Sequence, residues 1–424
     1  LRSHPPSSSH PSPLPRPLPL LSAACGALLV LTACSADTGS GPDQSERVLT
    51  VWADDGRAVA LTTFAEAYSR TSGTRMEVIV VEHEELRASF VSTHTSDMGP
   101  DLVVGPHDWT GELAEAGAIV PVGLGAEDAD AFTPGALEAL TYEGLVYGVP
   151  YATENVALLR DTGLVPEAPE TFEELVEVGT ALVGAGRAER ALSLQVGQEG
   201  DAYHLHPLFT SAGGYLFGED ESGDPDPSNL GVAAPESVEA FERLAGLGEA
   251  GSGVLTRETD AANATLLFTE GAAPFLVTGP WSVAAVKEAG VPYAISPVPP
   301  FADGGPARPL IGVQAFFVSS GSSDPGLAEE FAAGFTADPE LSVTLYDADP
   351  RVPALLAALE EVAERDPDLK AFQQAGKGGL PMPAIPGMDA VWGPFGQAGA
   401  DVIGGADPAT ALVAAEAQIT AGFE

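Results

Sequence analysis

Val48-Leu49-Thr50-Val51-Trp52 decides the fold class of this chain, because a short apolar run rich in β-branched and aromatic residues reads as a buried strand. The next residues have a different period. Ala60, Leu61, Phe64 and Tyr68 fall on one face of a helix across residues 57–70, and Gly73 sits just past its end. Residues 76–81 predict a second strand, 84–92 a short helix, 101–104 a strand and 110–116 a helix. Strand and helix alternate, which is the pattern of an α/β protein.

Downstream, strands are expected around 146–149 and 155–160. Thr171-Phe172-Glu173-Glu174 matches a capping box that opens a helix running through Leu182. Further helices are expected at 235–248, 283–289, 326–336, 353–365 and 408–421, while the acid, Gly and Pro of 218–229 read as a surface loop. No repeat at a fixed period is found, which disfavours solenoids and propellers.

Toward the N-terminus, residues 18–31 are almost wholly apolar, too short to span a bilayer as a mature helix, and preceded by a Pro/Ser-rich segment with Arg2 and Arg16. That is the layout of a secretory signal. Leu31-Thr32-Ala33-Cys34 at its end resembles the bacterial lipobox, so Cys34 is expected to carry a diacylglyceryl group and to become the mature N-terminus. The expected organisation is a signal peptide over 1–33, a flexible tether over 34–46 and a folded body from about Arg47. Several acyl chains hold far more firmly than one, which places the body at the outer face of the cell membrane.

The body exceeds a usual single core, so two lobes or domains are expected. With Cys25 in the signal and Cys34 acylated, it has no cysteine for disulfides, thiolate metal sites or nucleophilic catalysis. A formal charge of −43, from 61 Asp and Glu against 18 Lys and Arg, makes nucleic acid an improbable partner and leaves neutral or cationic small molecules open. Neither a Gly-x-Ser-x-Gly elbow nor a His-Glu-x-x-His pair occurs, and Gly376-Lys377 lacks the rest of a phosphate loop. His204 and His206 fall on different faces of a helix, so no metal or other cofactor is expected. A glycoside hydrolase needs only two facing carboxylates, and that alternative stays open.

Four tryptophans stand out: Trp52, Trp109, Trp281 and Trp392. Trp52 lies inside an apolar strand and reads as core. Trp281 follows Gly279-Pro280 and Trp392 precedes Gly393-Pro394, so both are expected at turns. Exposed rings there would suit the apolar C–H faces of sugars, while carboxylates and amides meet the hydroxyls.

From about Val48 to the C-terminus the chain resembles the extracellular solute-binding proteins of carbohydrate ABC importers, above all the maltose and maltodextrin branch. The motifs are Gly99-Pro100-Asp101-Leu102-Val103-Val104 before His107-Asp108, then Tyr147-Gly148-Val149-Pro150-Tyr151-Ala152-Thr153-Glu154. Asp201-Ala202-Tyr203, Ala212-Gly213-Gly214-Tyr215, Gly279-Pro280-Trp281, and Met382-Pro383-x-Ile385-Pro386 ahead of Trp392 complete them. The resemblance implies a two-lobed α/β fold of the periplasmic-binding-protein kind (type II), each lobe discontinuous, with the ligand cleft between lobes. It implies an N-terminal lobe of 47–152 plus 312–365 and a C-terminal lobe of 153–311 plus 366–424. It also implies a non-catalytic receptor that delivers a neutral oligosaccharide, maltose or maltodextrin, to permease subunits in the membrane, with a receptor of the same fold for another sugar or a non-sugar solute as the alternative. Carried over by position, Asp108 and Glu154 would accept from sugar hydroxyls, Arg57 would donate, and Tyr203, Trp281 and Trp392 would be aromatic platforms. The family pattern is broken at two places: Gly105 stands where an aromatic is usual, and Trp109 where an arginine follows the acid. Trp109 is therefore taken as a displaced platform.

Overall fold

A computed structural model describes residues 48–219, 225–324 and 326–423, so the signal, the tether and Cys34 lie outside the described residues. Val48–Ala53 pairs in parallel with both Arg75–Val80 and Leu102–Pro106, and the helix Asp55–Ser72 makes the first crossover. Asp54 caps that helix by accepting from the Arg57 backbone N–H at 2.9 Å, and Gly73 closes it at φ 74°, where a side chain would be strained. The sheet runs Val352–Pro353, Gly148–Glu154, Leu310–Val318, Leu102–Pro106, Val48–Ala53, Arg75–Val80, and Leu380–Pro381 joins it beside Leu310–Val318. Its core is aromatic. Phe64, Phe316, Phe331 and Phe335 pack with ring centroids 5.0–6.4 Å apart.

A second sheet runs Tyr293–Ser296, Ala157–Asp161, Phe275–Thr278, Ser193–Leu194. Its central strands, Ala157–Asp161 and Phe275–Thr278, are buried on both faces. Ala157 and Leu159 turn toward one core while Leu158 turns toward the other, the period-two alternation a strand imposes. Helices Pro235–Leu247, Asp389–Ile403 and Pro408–Gly422 cover the second core. The chain moves between sheets just after Glu154 and again between Ser296 and Leu310, so each of the two lobes is assembled from separated segments.

The expected capping box has a shifted partner. Thr171 accepts from the Glu174 N–H at 3.2 Å, but the Glu174 carboxylate reaches the N–H of Glu170, one residue before the cap. Residues 218–229 are not all loop, since Pro225–Leu230 pairs antiparallel with Phe217–Glu219. Trp392 is not at a turn either. It is the fourth residue of the helix Asp389–Ile403, which continues through Gly393 and Pro394. The helix Ala202–Ser211 likewise contains Pro207. An internal proline costs a helix one hydrogen bond and about 3 kcal/mol. Burial of Phe395, Ala398 and Val402, and of Leu205, Leu208 and Phe209, outweighs that cost. Gly246-Leu247-Gly248-Glu249-Ala250-Gly251 has the spelling of a dinucleotide loop, yet it begins in the last turn of the helix Pro235–Leu247 instead of after a strand and so lacks the required context.

Candidate ligand-binding site

The crossing strands Gly148–Glu154 and Leu310–Val318 set the frame of the site. Gly312 faces Glu154 and Gln314 faces Ala152, so Glu154 and Gln314 share one face, while Thr153 and Val313 share the other. Between Gln314 and Ala315 the register slips by one residue at Tyr151, a bulge that re-aims its side chain. Tyr151 lies beside Arg57, which pairs with Asp54. The cap of the first helix therefore fixes the guanidinium as well as the backbone. Burial lowers the Arg57 pKa.

Glu154 is held at both oxygens: Oε1 accepts from Gln314 Nε2 at 2.7 Å and Oε2 from Arg351 Nε. Burial alone would raise its carboxyl, but Arg351 and then Arg57 outweigh that and hold it below the ordinary value. Arg351 also pairs with Asp349 and lies with its guanidinium carbon 5.9 Å from the Trp281 ring centre. A cavity of about 10 Å³ between Arg57, Tyr151, Ser342, Asp349 and Arg351 has room for one water.

Tyr203 and Trp281 form an aromatic wall from the other lobe, their ring centres 6.2 Å apart and tilted by 44°. Asp201 caps the helix that carries Tyr203, accepting from the His204 N–H at 2.8 Å, and His204 meets Trp281 edge-on at 5.9 Å. The Tyr203 hydroxyl donates to the Glu154 carbonyl at 3.5 Å.

His107 anchors the remaining wall. Its Nδ1 accepts from the Val313 N–H at 3.0 Å and its Nε2 donates to the Met382 carbonyl at 2.9 Å, which fixes one neutral tautomer. Burial pushes its pKa down accordingly. The adjacent Asp108 accepts from Trp392 Nε1 at 2.8 Å, tying residues far apart in the chain. Burial raises the Asp108 carboxyl. Asp108 Oδ1, Gln314 Oε1 and Arg57 Nε are buried without a partner, two acceptors and one donor of the kind that meet hydroxyls.

Of the residues named from the sequence, Arg57, Glu154, Tyr203 and Trp281 form one connected group, with Asp108 and Trp392 a second pair whose charge reaches Tyr203. Trp109 stands apart, 9% exposed, its ring lying over Gly105 in the first core. The sequence reading missed Tyr151, Gln314 and Arg351. Arg351 had a signal: in a chain with only 18 Lys and Arg, a base between Pro350 and Pro353 is conspicuous. Gln314 had none, because only strand register brings it in, and Tyr151 stood only within the motif that ends at Glu154. A roomier groove of about 770 Å³ lies on the opposite face of the crossing strands, lined by Thr153, Asn155, Ile311, Val313 and Pro381, away from these charges.

A family model described as bacterial extracellular solute-binding protein matches residues 62–371. The chain belongs to this family. Among relatives of this solute-binding protein, a maltotriose-binding protein of Pyrococcus abyssi is 31% identical over 75% of this chain and 69% of its own length. A galactooligosaccharide-binding protein of Bacillus subtilis is 26% identical over 92% of this chain and 93% of its own. Among solved structures, the Thermus thermophilus maltotriose-binding protein bound with maltotriose superposes with a TM-score of 0.78 at 29% identity, covering 89% of this chain and all (100%) of that one.

Proposed function

We propose that this solute-binding protein captures a neutral oligosaccharide of the maltose and maltodextrin class and hands it to the permease of an ABC importer. The observation that carries the reading is the set of unpartnered buried atoms, Asp108 Oδ1, Gln314 Oε1 and Arg57 Nε, beside the ring wall of Tyr203 and Trp281. Acceptors and donors of that kind satisfy sugar hydroxyls, and the rings cover the apolar sugar faces. Asp108 and Glu154 act as acceptors, Arg57 as donor, and Trp281, Trp392 and Tyr203 as platforms, while Trp109 packs in the first core. The names of the relatives support an oligosaccharide, and the maltotriose-bound neighbour favours an α-glucan.

The lobes divide as 47–152 plus 312–365 and 153–311 plus 366–424, and sugar shifts an open and closed equilibrium toward the closed form. Cys34 anchors the body to the membrane beside its permease, where tethering raises the local concentration for docking. The hydrolase reading is disfavoured by Glu154, whose carboxyl is held below its ordinary value by Arg351 and Arg57 and so makes a poor general acid or base.

A thermal-shift screen of maltose, maltotriose and galactooligosaccharides, followed by calorimetry, tests the reading. At a hundredfold excess over Kd a true ligand stabilises by about 2.7 kcal/mol. Trp281→Ala and Trp392→Ala each weaken binding tenfold or more with the fold intact. No response to any sugar would sink the proposal, and release of reducing sugar from maltotriose would favour the hydrolase.

A further inference from the structure

Gly279 precedes Pro280-Trp281 at the end of the strand Phe275–Thr278. Its φ of −98° is open to any residue, so the backbone does not require glycine. The side chain of Trp281 does. A Cβ built on Gly279 falls inside contact distance of Trp281 Cζ3, Cη2 and Cε3, the outer edge of the indole. The ring lies folded back over the bare α-carbon, and from there it meets Tyr203, His204 and Arg351.

Something must move if that space is filled, and the backbone is held. Ser282 Oγ is hydrogen-bonded to Thr278 Oγ1 at 2.8 Å and to Thr265 Oγ1 at 3.0 Å, the Ser282 N–H donates to the Gly279 carbonyl at 3.3 Å, and Pro280 fixes its own φ. Trp281 itself is only half-buried, so its ring has somewhere to go.

We propose that Gly279 is a positioning residue of the sugar site: its missing side chain is the seat that sets the Trp281 ring against Tyr203 and under Arg351. This rests on the reading of Trp281 as a sugar platform. The consequence is specific. A methyl group at Gly279 displaces the platform while leaving the rest of the fold in place.

The test is Gly279→Ala, studied alone and in the Trp281→Ala background, in the full chain. Gly279→Ala is expected to bind maltotriose, or whichever sugar the screen selects, at least tenfold more weakly, with a melting temperature close to the parent. Its sugar-free tryptophan emission should differ from the parent, a difference abolished when Trp281 is replaced by Phe in both. In the Trp281→Ala background the same methyl should cost no further affinity and no stability. If Gly279→Ala lowers the melting temperature but Gly279→Ala/Trp281→Ala does not, the clash with the ring is still demonstrated. Parental affinity and emission in Gly279→Ala would overturn the proposal, as would an affinity or stability loss that persists without the indole. Were no sugar to bind the parent while the emission change appeared as described, the seat would stand and the sugar reading would fall.

Discussion

Two junctions of the same construction face the site from different lobes, and they use a tryptophan in opposite ways. In one, Leu102–Pro106 passes through a 3₁₀ turn, His107–Trp109, into the helix Thr110–Glu115; in the other, Phe275–Thr278 passes through Pro280–Ser282 into Val283–Ala289. Each folds its indole back over a glycine at the strand end, Gly105 under Trp109 and Gly279 under Trp281. Trp109 is buried in the first core, and the polar element of its junction is Asp108, clamped by Trp392. Trp281 stays half-buried, and its junction presents the ring itself. A local device thus fixes where a ring sits, while the packing beyond it decides whether that ring is core or surface for a ligand.

The largest expected effect tests what holds the Trp281 side. Arg351 is 8% exposed between Glu154 and Asp349, and removing one partner from a buried ionic group leaves the others unpaired. Arg351→Met is expected to lose about 3–5 kcal/mol in urea unfolding and to perturb Trp281 emission, with Glu154→Gln in the same background restoring part of the stability. A loss below about 0.5 kcal/mol, the size of an exposed pair, would show that the guanidinium does not organise this junction.

Next in size is a pH effect, and it compares a buried histidine in each lobe. Burial lowers His107, and it lowers His206 from 6.5 to about 4. For such groups the unfolded chain binds the proton more readily, so the stability is complete above pH 6.5 and is lost as pH falls toward the folded value. For His206 the shift corresponds to about 3 kcal/mol lost by pH 4. His206→Gln should flatten the stability curve between pH 6.5 and 4 by about that amount, leaving the slope due to His107. An unchanged slope would mean that His206 titrates normally.

The glycine seats give the direct contrast. Gly105→Ala presses a Cβ into the ring of Trp109, which is enclosed, so the strain stays in the core and is expected to cost about 1–3 kcal/mol. Gly279→Ala presses on a ring that can swing out, and costs affinity instead. Equal melting temperatures for the two variants would break the comparison.

The first lobe's alternation was legible in the sequence because each element carries its own period: Val48–Ala53 as an apolar run, Asp55–Ser72 as a stripe ended by Gly73. Asp108, Glu154, Tyr203, Trp281 and Trp392 were legible as a group only through family motifs. Local rules misplaced Trp392, since Gly393-Pro394 reads as a turn until the burial of Phe395 and its neighbours is counted. Arg351 and Gln314 could not be placed from spacing at all. Their roles depend on a strand register that brings Gln314 opposite Ala152, and on the return of residues 349–353 beside Glu154.

The smallest expected effect separates the rings from their edges. Trp392 Nε1 donates to Asp108 Oδ2 at 2.8 Å, so Trp392→Phe keeps an aromatic face but leaves a buried carboxylate short of a donor. Asp108 then reorients toward whatever donor is nearest, and its free Oδ1 no longer waits where a hydroxyl would arrive. Trp281 sits by packing over Gly279 and against Tyr203, so Trp281→Phe keeps most of what the platform supplies. Calorimetry with the selected sugar should give about a tenfold loss for Trp392→Phe, about 1.4 kcal/mol, and a clearly smaller one for Trp281→Phe. The reverse order would mean that the first junction contributes a stacking face and the second a hydrogen-bonding edge, exchanging the roles that the two seats assign.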